Sequence, residues 1–174
     1  MPEKKAPTTD LAQQMLGPPP AQMKEFDFII GNWDVSINYF RPDGTVDSEE
    51  KARWNAEYRN NGRMILDEFN RLSPDGVETS CAITLRTFCL DTNQWESTFL
   101  FSQQQTIPET FTGKFVDGEG HFEVVVKHTP EFTFMARIFF FDIQEDSFMW
   151  KIDNSTNGGK TWVHRQTNSV RRIS

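Results

Sequence analysis

The sequence predicts an all-β protein: a single up-and-down antiparallel β-barrel of about ten strands, calycin-like or lipocalin-like, with a short N-terminal helical arm. Short segments in which apolar and polar residues alternate recur after residue 30, as expected for strands with one buried face. Turn sequences rich in Gly, Asn, Asp and Pro separate these segments at short intervals. No stretch between them has the length of a helix, so tight hairpins must join antiparallel neighbours, which favours a closed barrel.

The composition limits the class of protein. The chain has 174 residues, enough for one domain with a sizeable core, and it contains 16 Phe and 5 Trp but only 2 Tyr. Because Phe has no polar group, these rings are expected in an apolar interior. The net charge of −7 argues against nucleic-acid binding, which needs a basic face. No apolar run approaches the ~20 residues of a membrane helix, so we expect a cytoplasmic protein without a membrane partner.

The chain divides into two predicted parts, a flexible N-terminal arm over residues 1–23 and the barrel over residues 24–174. The arm contains a short predicted helix at 9–16 and a stiff Pro spacer at 18–20. A helix this short is marginal alone, so we interpret the arm as loosely attached. The alternatives are a lid over the barrel or a homodimer contact.

The barrel strands follow from the alternation and the turns. In the first strand, apolar side chains occupy every second position from Trp33 to Tyr39. The Asn60-Asn61-Gly62 segment predicts a hairpin, because Asn and Gly tolerate positive φ. The ten predicted strands are 33–39, 51–58, 64–72, 79–90, 95–103, 110–116, 121–129, 132–143, 147–154 and 162–172.

The Gly31-Asn32-Trp33 segment that opens the first strand resembles the Gly-x-Trp signature of the lipocalin and calycin families. In those barrels the Trp plugs one end, and an Arg from the last strand packs over its ring in a cation–π contact. The resemblance implies that Gly31 and Trp33 form a structural plug, covered by Arg171 or Arg172.

The resemblance extends over residues 24–173, to a family of mostly bacterial calycin-like domains of unknown function. That family implies a fold but no established reaction, cofactor or catalytic residue. Haem-binding nitrobindin barrels follow Gly-x-Trp with further glycines, whereas residues 34–37 here are Asp-Val-Ser-Ile, so no haem is expected. The matching segments are 26–35, 43–44, the strand around Trp54, 62–63, Trp95 and 158–162.

Strand parity predicts which side chains face the interior. If Trp33 faces inward, Trp54 and Tyr58 do so on the second strand. The third strand leaves two alternatives open, with either Glu68 or Asp67 inside. An interior carboxylate and Arg86 could bind a ligand or could only satisfy each other. The predicted cavity residues are Trp54, Tyr58, Glu68, Arg86, Phe99, Phe101, Trp150 and His164.

The sequence predicts no metal site and no cofactor. His121 and His128 lie seven positions apart and face opposite sides of a regular strand. Cys81 and Cys89 would be about 27 Å apart on one strand at ~3.4 Å per residue, too far for a disulfide.

Three functional hypotheses remain. The first is binding of a small hydrophobic or aromatic ligand inside the barrel. The alternative is a calycin-type isomerase, cyclase or decarboxylase that uses a cavity carboxylate, His and Arg on a small hydrophobic substrate. The third is a fully packed barrel that acts as a structural or interaction protein.

Overall fold

The protein is a closed antiparallel β-barrel, which confirms the predicted fold class. The computed structural model describes residues 17–102, 110–127, 129 and 132–173. The predicted arm helix at 9–16 lies outside these residues. The elements are a 3₁₀ helix, Ala21–Ile29, and ten strands: β1 Gly31–Phe40, β2 Val46–Arg59, β3 Met64–Leu72, β4 Glu78–Cys89, β5 Gln94–Phe101, β6 Phe111–Val116, β7 Glu119–Lys127, β8 Thr133–Phe141, β9 Ser147–Ser155 and β10 Val163–Arg172.

Each strand pairs with the next in sequence, and β1 also pairs with β10, so the sheet has no free edge. The closing register runs from Trp33 opposite Arg172 to Tyr39 opposite Gln166. The turn at residues 60–63 has positive φ at Asn60, Asn61 and Gly62, as the sequence predicts for a tight hairpin.

The barrel has two ends of different character. We call the end that carries the 3₁₀ helix the closed end and the opposite end the mouth. The turns at 60–63, 90–93 and 142–146 lie at the closed end, and those at 41–45 and 156–162 lie at the mouth. In the part of the chain that the structure describes, no helix is long and apolar enough to cross a bilayer.

An aromatic core fills the closed half of the barrel. Phe26, from the 3₁₀ helix, is 0% exposed, and its ring centroid lies 4.7 Å from that of Trp95 and 5.0 Å from that of Phe115. Its ring also contacts Phe122 and Phe140. The helix is therefore part of the core, which the sequence analysis did not predict.

The mouth half is less tightly packed. Several large side chains with inward strand parity are half-buried there, whereas most inward side chains at the closed end are buried. These residues face the interior but are only partly shielded from solvent. The half-buried inward residues are Tyr39, Phe69, Phe99, Phe101, Ile138, Trp150 and Ile152.

Candidate ligand-binding site

The closed end is sealed around Trp33. The Arg172 guanidinium carbon lies 4.0 Å from the centroid of the Trp33 ring, and Arg172 Nη1 donates a hydrogen bond to the Ile30 carbonyl at 3.0 Å. A Cβ at Gly31, whose φ is +127°, would lie 2.6 Å from Arg172 Nη1, so only glycine fits there. Arg171 is exposed. Trp33 is therefore covered by Arg172 on its ring and held by a hydrogen bond from its Nε1 to the Ile29 carbonyl.

A buried polar group forms the floor of the mouth half. We call Trp54, Asp67 and Arg86 the floor cluster. Arg86 Nε donates to Asp67 Oδ2 at 2.7 Å, and Trp54 Nε1 donates to Asp67 Oδ1 at 3.1 Å. The Arg86 guanidinium also lies 5.1 Å from the Phe26 ring centroid and 5.8 Å from that of Phe140. Both Asp67 oxygens are thus engaged, in a setting where an unpaired charge would be costly.

The third strand presents Asp67, and not Glu68, to the interior. Tyr58 pairs with Ile65 across the β2–β3 hairpin, so Ile65, Asp67 and Phe69 take the inward parity. Asp67 is 1% exposed, whereas Glu68 is exposed on the outer face. The predicted interior position of Glu68 was therefore wrong, and the other alternative holds.

His164 lies on the outer face, so its predicted interior position was also wrong. The β9–β10 register shifts between His164 and Gln166, which places His164 opposite Asp153. His164 Nδ1 is 2.9 Å from Asp153 Oδ1, and Nε2 is 2.8 Å from Thr167 Oγ1. The β-bulge adds one residue, which turns the His164 side chain away from the cavity.

Asp153 is held in an outer-face ion network. Arg137 Nε donates to Asp153 Oδ2 at 3.0 Å, and Lys151 Nζ lies 3.9 Å from the same oxygen. Burial raises the pKa of the Asp153 carboxyl, but the hydrogen bonds from His164 and Arg137 and the charge of Lys151 outweigh it and lower the pKa below its ordinary value. This carboxylate is ionised at neutral pH and links side chains of β8, β9 and β10 on the outer face of the sheet.

The six other residues predicted to line the cavity lie at the closed end, in the floor cluster or in the mouth half of the barrel. Tyr58 lies at the closed end, where its hydroxyl donates to the Met23 carbonyl at 2.9 Å and contacts Asp27. Burial and the Asp27 carboxylate raise the pKa of Tyr58, so its role there is structural. Trp54 and Arg86 belong to the floor cluster. The remaining three, Phe99, Phe101 and Trp150, line the mouth half.

The structure adds interior residues that the sequence analysis did not select. Ile138 and Ile152 are cross-strand partners on β8 and β9, and both face inward. The charged residues beside them in the sequence could have indicated this orientation. Gln166 and Asn168 are buried on β10 and hydrogen-bond to each other at 2.9 Å. Within the described ranges, the buried Trp150 Nε1 has no hydrogen-bonding partner.

A concave feature lies on the outer face of the barrel. It is a surface depression of about 480 Å³. No group of three metal-ligating side chains occurs among the described residues. The depression is lined by Asn32, Arg53, Trp54, Asn55, Glu68, Asn70 and Ile173.

Comparison with known proteins identifies the class of fold. No protein-family model and no curated protein matches this sequence. Among solved structures, Rv2717c from M. tuberculosis superposes with a TM-score of 0.63 at 10% identity, over 90% of this chain and 99% of that one. The S-type phycobiliprotein lyase CPES from Guillardia theta gives 0.58 at 12% identity, again over 90% and 99%. The chain therefore has the fold of a ten-strand calycin-like barrel.

Proposed function

We propose that the barrel binds a small apolar or aromatic molecule in the mouth half of its interior. The observation that carries this proposal is that inward-facing rings such as Phe99 and Trp150 are only half-buried in the mouth half, whereas most rings of the closed half are buried. An accessible apolar lining above a few buried polar groups is how small-molecule sites are usually built.

Catalysis has less support than binding. The enzymatic alternative needs a carboxylate and a His in one cavity. The inward carboxylate of β3, Asp67, accepts hydrogen bonds from Trp54 and Arg86, while His164 lies on the outer face. Among the structural neighbours, the lyase shares only the fold at 12% identity, so it assigns no reaction to this chain.

A cavity-filling variant tests the proposal. Ala136 faces inward on β8 and is 6% exposed, so Ala136→Trp would occupy interior space. Val125, 46% exposed on neighbouring β7, provides a control in which Val125→Trp adds a ring to the outer face. The probe is N-phenyl-1-naphthylamine, a neutral aromatic dye whose fluorescence rises in apolar surroundings.

The wild-type protein and the Val125→Trp variant should bind the dye with similar affinity, and Ala136→Trp should weaken binding by about tenfold or more. Thermal unfolding of all three proteins verifies that the variants are folded. Failure of the wild-type protein to bind would overturn the proposal, as would unchanged binding by a folded Ala136→Trp variant.

A further inference from the structure

The floor cluster leaves part of Arg86 without a partner. We propose that the ligand carries a carboxylate group, which binds the Arg86 guanidinium at the floor while the apolar body occupies the mouth half. This inference rests on the proposed function and specifies the chemical class of the ligand as an apolar or aromatic carboxylic acid.

The guanidinium has more donors than the floor cluster uses. An Arg side chain has five N–H donors, and only Nε of Arg86 has a hydrogen-bonding partner among the described residues, namely Asp67. The Arg86 side chain is 10% exposed, and its strand parity directs it to the interior. Unused guanidinium donors at such burial are costly unless they meet an acceptor.

The neighbouring polar groups also favour an acceptor from the ligand. Asp67 already accepts hydrogen bonds at both oxygens, from Trp54 and Arg86. The Trp150 indole N–H lacks a partner in the described part of the chain, and the Trp150 ring centroid lies 6.4 Å from that of Trp54. Thr84, a cross-strand neighbour of Asp67, adds an inward-facing hydroxyl. Ser97, the cross-strand neighbour of Arg86, adds a second hydroxyl, which has no partner among the described residues. The Arg86 and Trp150 nitrogens can only donate, and both hydroxyls can donate as well.

A carboxylate fits these donors better than a neutral carbonyl. Hydrogen bonds between a guanidinium and a carboxylate are shorter and about twice as strong as neutral ones, and they often form in pairs. Asp67 engages the Nε position of Arg86, so both terminal nitrogens remain for a second carboxylate. Phe26 and Phe140 lie beside the guanidinium and keep it desolvated, which strengthens such a contact.

The test compares two aromatic probes of similar shape, 2-naphthoate and its neutral counterpart 2-acetylnaphthalene, by isothermal titration calorimetry at pH 7.5. The wild-type protein should bind 2-naphthoate about tenfold more tightly. The double variant Asp67→Asn/Arg86→Met removes the buried charges together, so the fold is not left with an unpaired ion. It should bind both probes equally and keep the wild-type affinity for 2-acetylnaphthalene.

Arg53→Met is the matched control. Arg53 is 51% exposed on the outer face, where it pairs with Asp34, so this variant removes a positive charge without changing the floor. It should keep the tenfold preference. Should the double variant not fold, Arg86→Lys keeps the charge but loses the planar donor pair, and it should reduce the preference several-fold.

The results distinguish a failure of the carboxylate proposal from a failure of the proposed function. Equal wild-type affinity for the two probes would overturn the carboxylate proposal and leave the cavity proposal intact. A preference that persists in the folded double variant, or at full strength in Arg86→Lys, would also overturn the carboxylate proposal. Binding of neither probe would count against the proposed function itself.

Discussion

Arg86 Nε and Asp67 Oδ2 lie 2.7 Å apart near the centre of the barrel, and the two residues are 8% and 1% exposed. Neither charge would be stable at this depth without the other. The pair lies between a closed half filled by aromatic rings and a mouth half in which several large inward side chains are half-buried.

Removing only Arg86 should destabilise the protein more than replacing both Arg86 and Asp67. Arg86→Met leaves the buried Asp67 carboxylate with only the Trp54 hydrogen bond, and we expect the free energy of unfolding to fall by about 3–5 kcal/mol. The Asp67→Asn/Arg86→Met variant should lose less. Urea denaturation measures both, and a single variant as stable as the double one would contradict the account.

The plug at the closed end should depend on one of two adjacent arginines. Arg172→Met removes the contact with the Trp33 ring and the hydrogen bond to Ile30, and it should lower the free energy of unfolding by about 2 kcal/mol. Arg171→Met, at an exposed position, should change it by less than about 0.5 kcal/mol. Equal effects in urea denaturation would argue against the plug.

The ion network around Asp153 should make the free energy of unfolding depend on pH in the acidic range. The pKa of Asp153 is lowered in the folded protein, so its contribution is fully present above the ordinary value of 3.8 and is lost as pH falls through the folded value. Asp153→Asn should therefore destabilise the protein at pH 7 and by progressively less below pH 3.8. Urea denaturation of both proteins between pH 3 and 7 measures this difference, and an equal difference at the two ends of the range would contradict the network.

Both tyrosines of the chain should ionise at a higher pH than free tyrosine. Burial and the Glu50 carboxylate raise the pKa of Tyr39 to about 12, and the pKa of Tyr58 is also raised. Absorbance at 295 nm should show no tyrosinate in the folded protein at pH 10, where tyrosines in the urea-unfolded chain are half ionised. Because the folded pKa values are the higher ones, stability should decline as pH rises above 10. A folded protein that ionises near pH 10 would contradict these environments.

Strand alternation and turn chemistry predicted the fold well, because both are local properties of the sequence. The predicted third strand, 64–72, coincides with β3, and the predicted turn at 60–62 has the positive φ values that Asn and Gly allow. Alternation could not decide between Asp67 and Glu68, since parity depends on the register across the hairpin.

Two features escaped prediction for physical reasons. The bulge beside His164 inserts one residue without a distinctive local sequence, so His164, at the start of β10, has the opposite parity to that expected from the rest of the strand. The 3₁₀ helix at Ala21–Ile29 is stabilised by burying Met23, Phe26 and Ile29 against distant strands, a contact that no local pattern reveals.

The position of the ligand is the most direct test of the central claim. Protein labelled at isoleucine methyl groups and mixed with 2-acetylnaphthalene can be examined by NMR for intermolecular NOEs. We expect contacts to the inward methyl groups of Ile138 and Ile152, in the mouth half of the barrel. Contacts confined to Ile173, in the outer depression, would contradict binding inside the barrel.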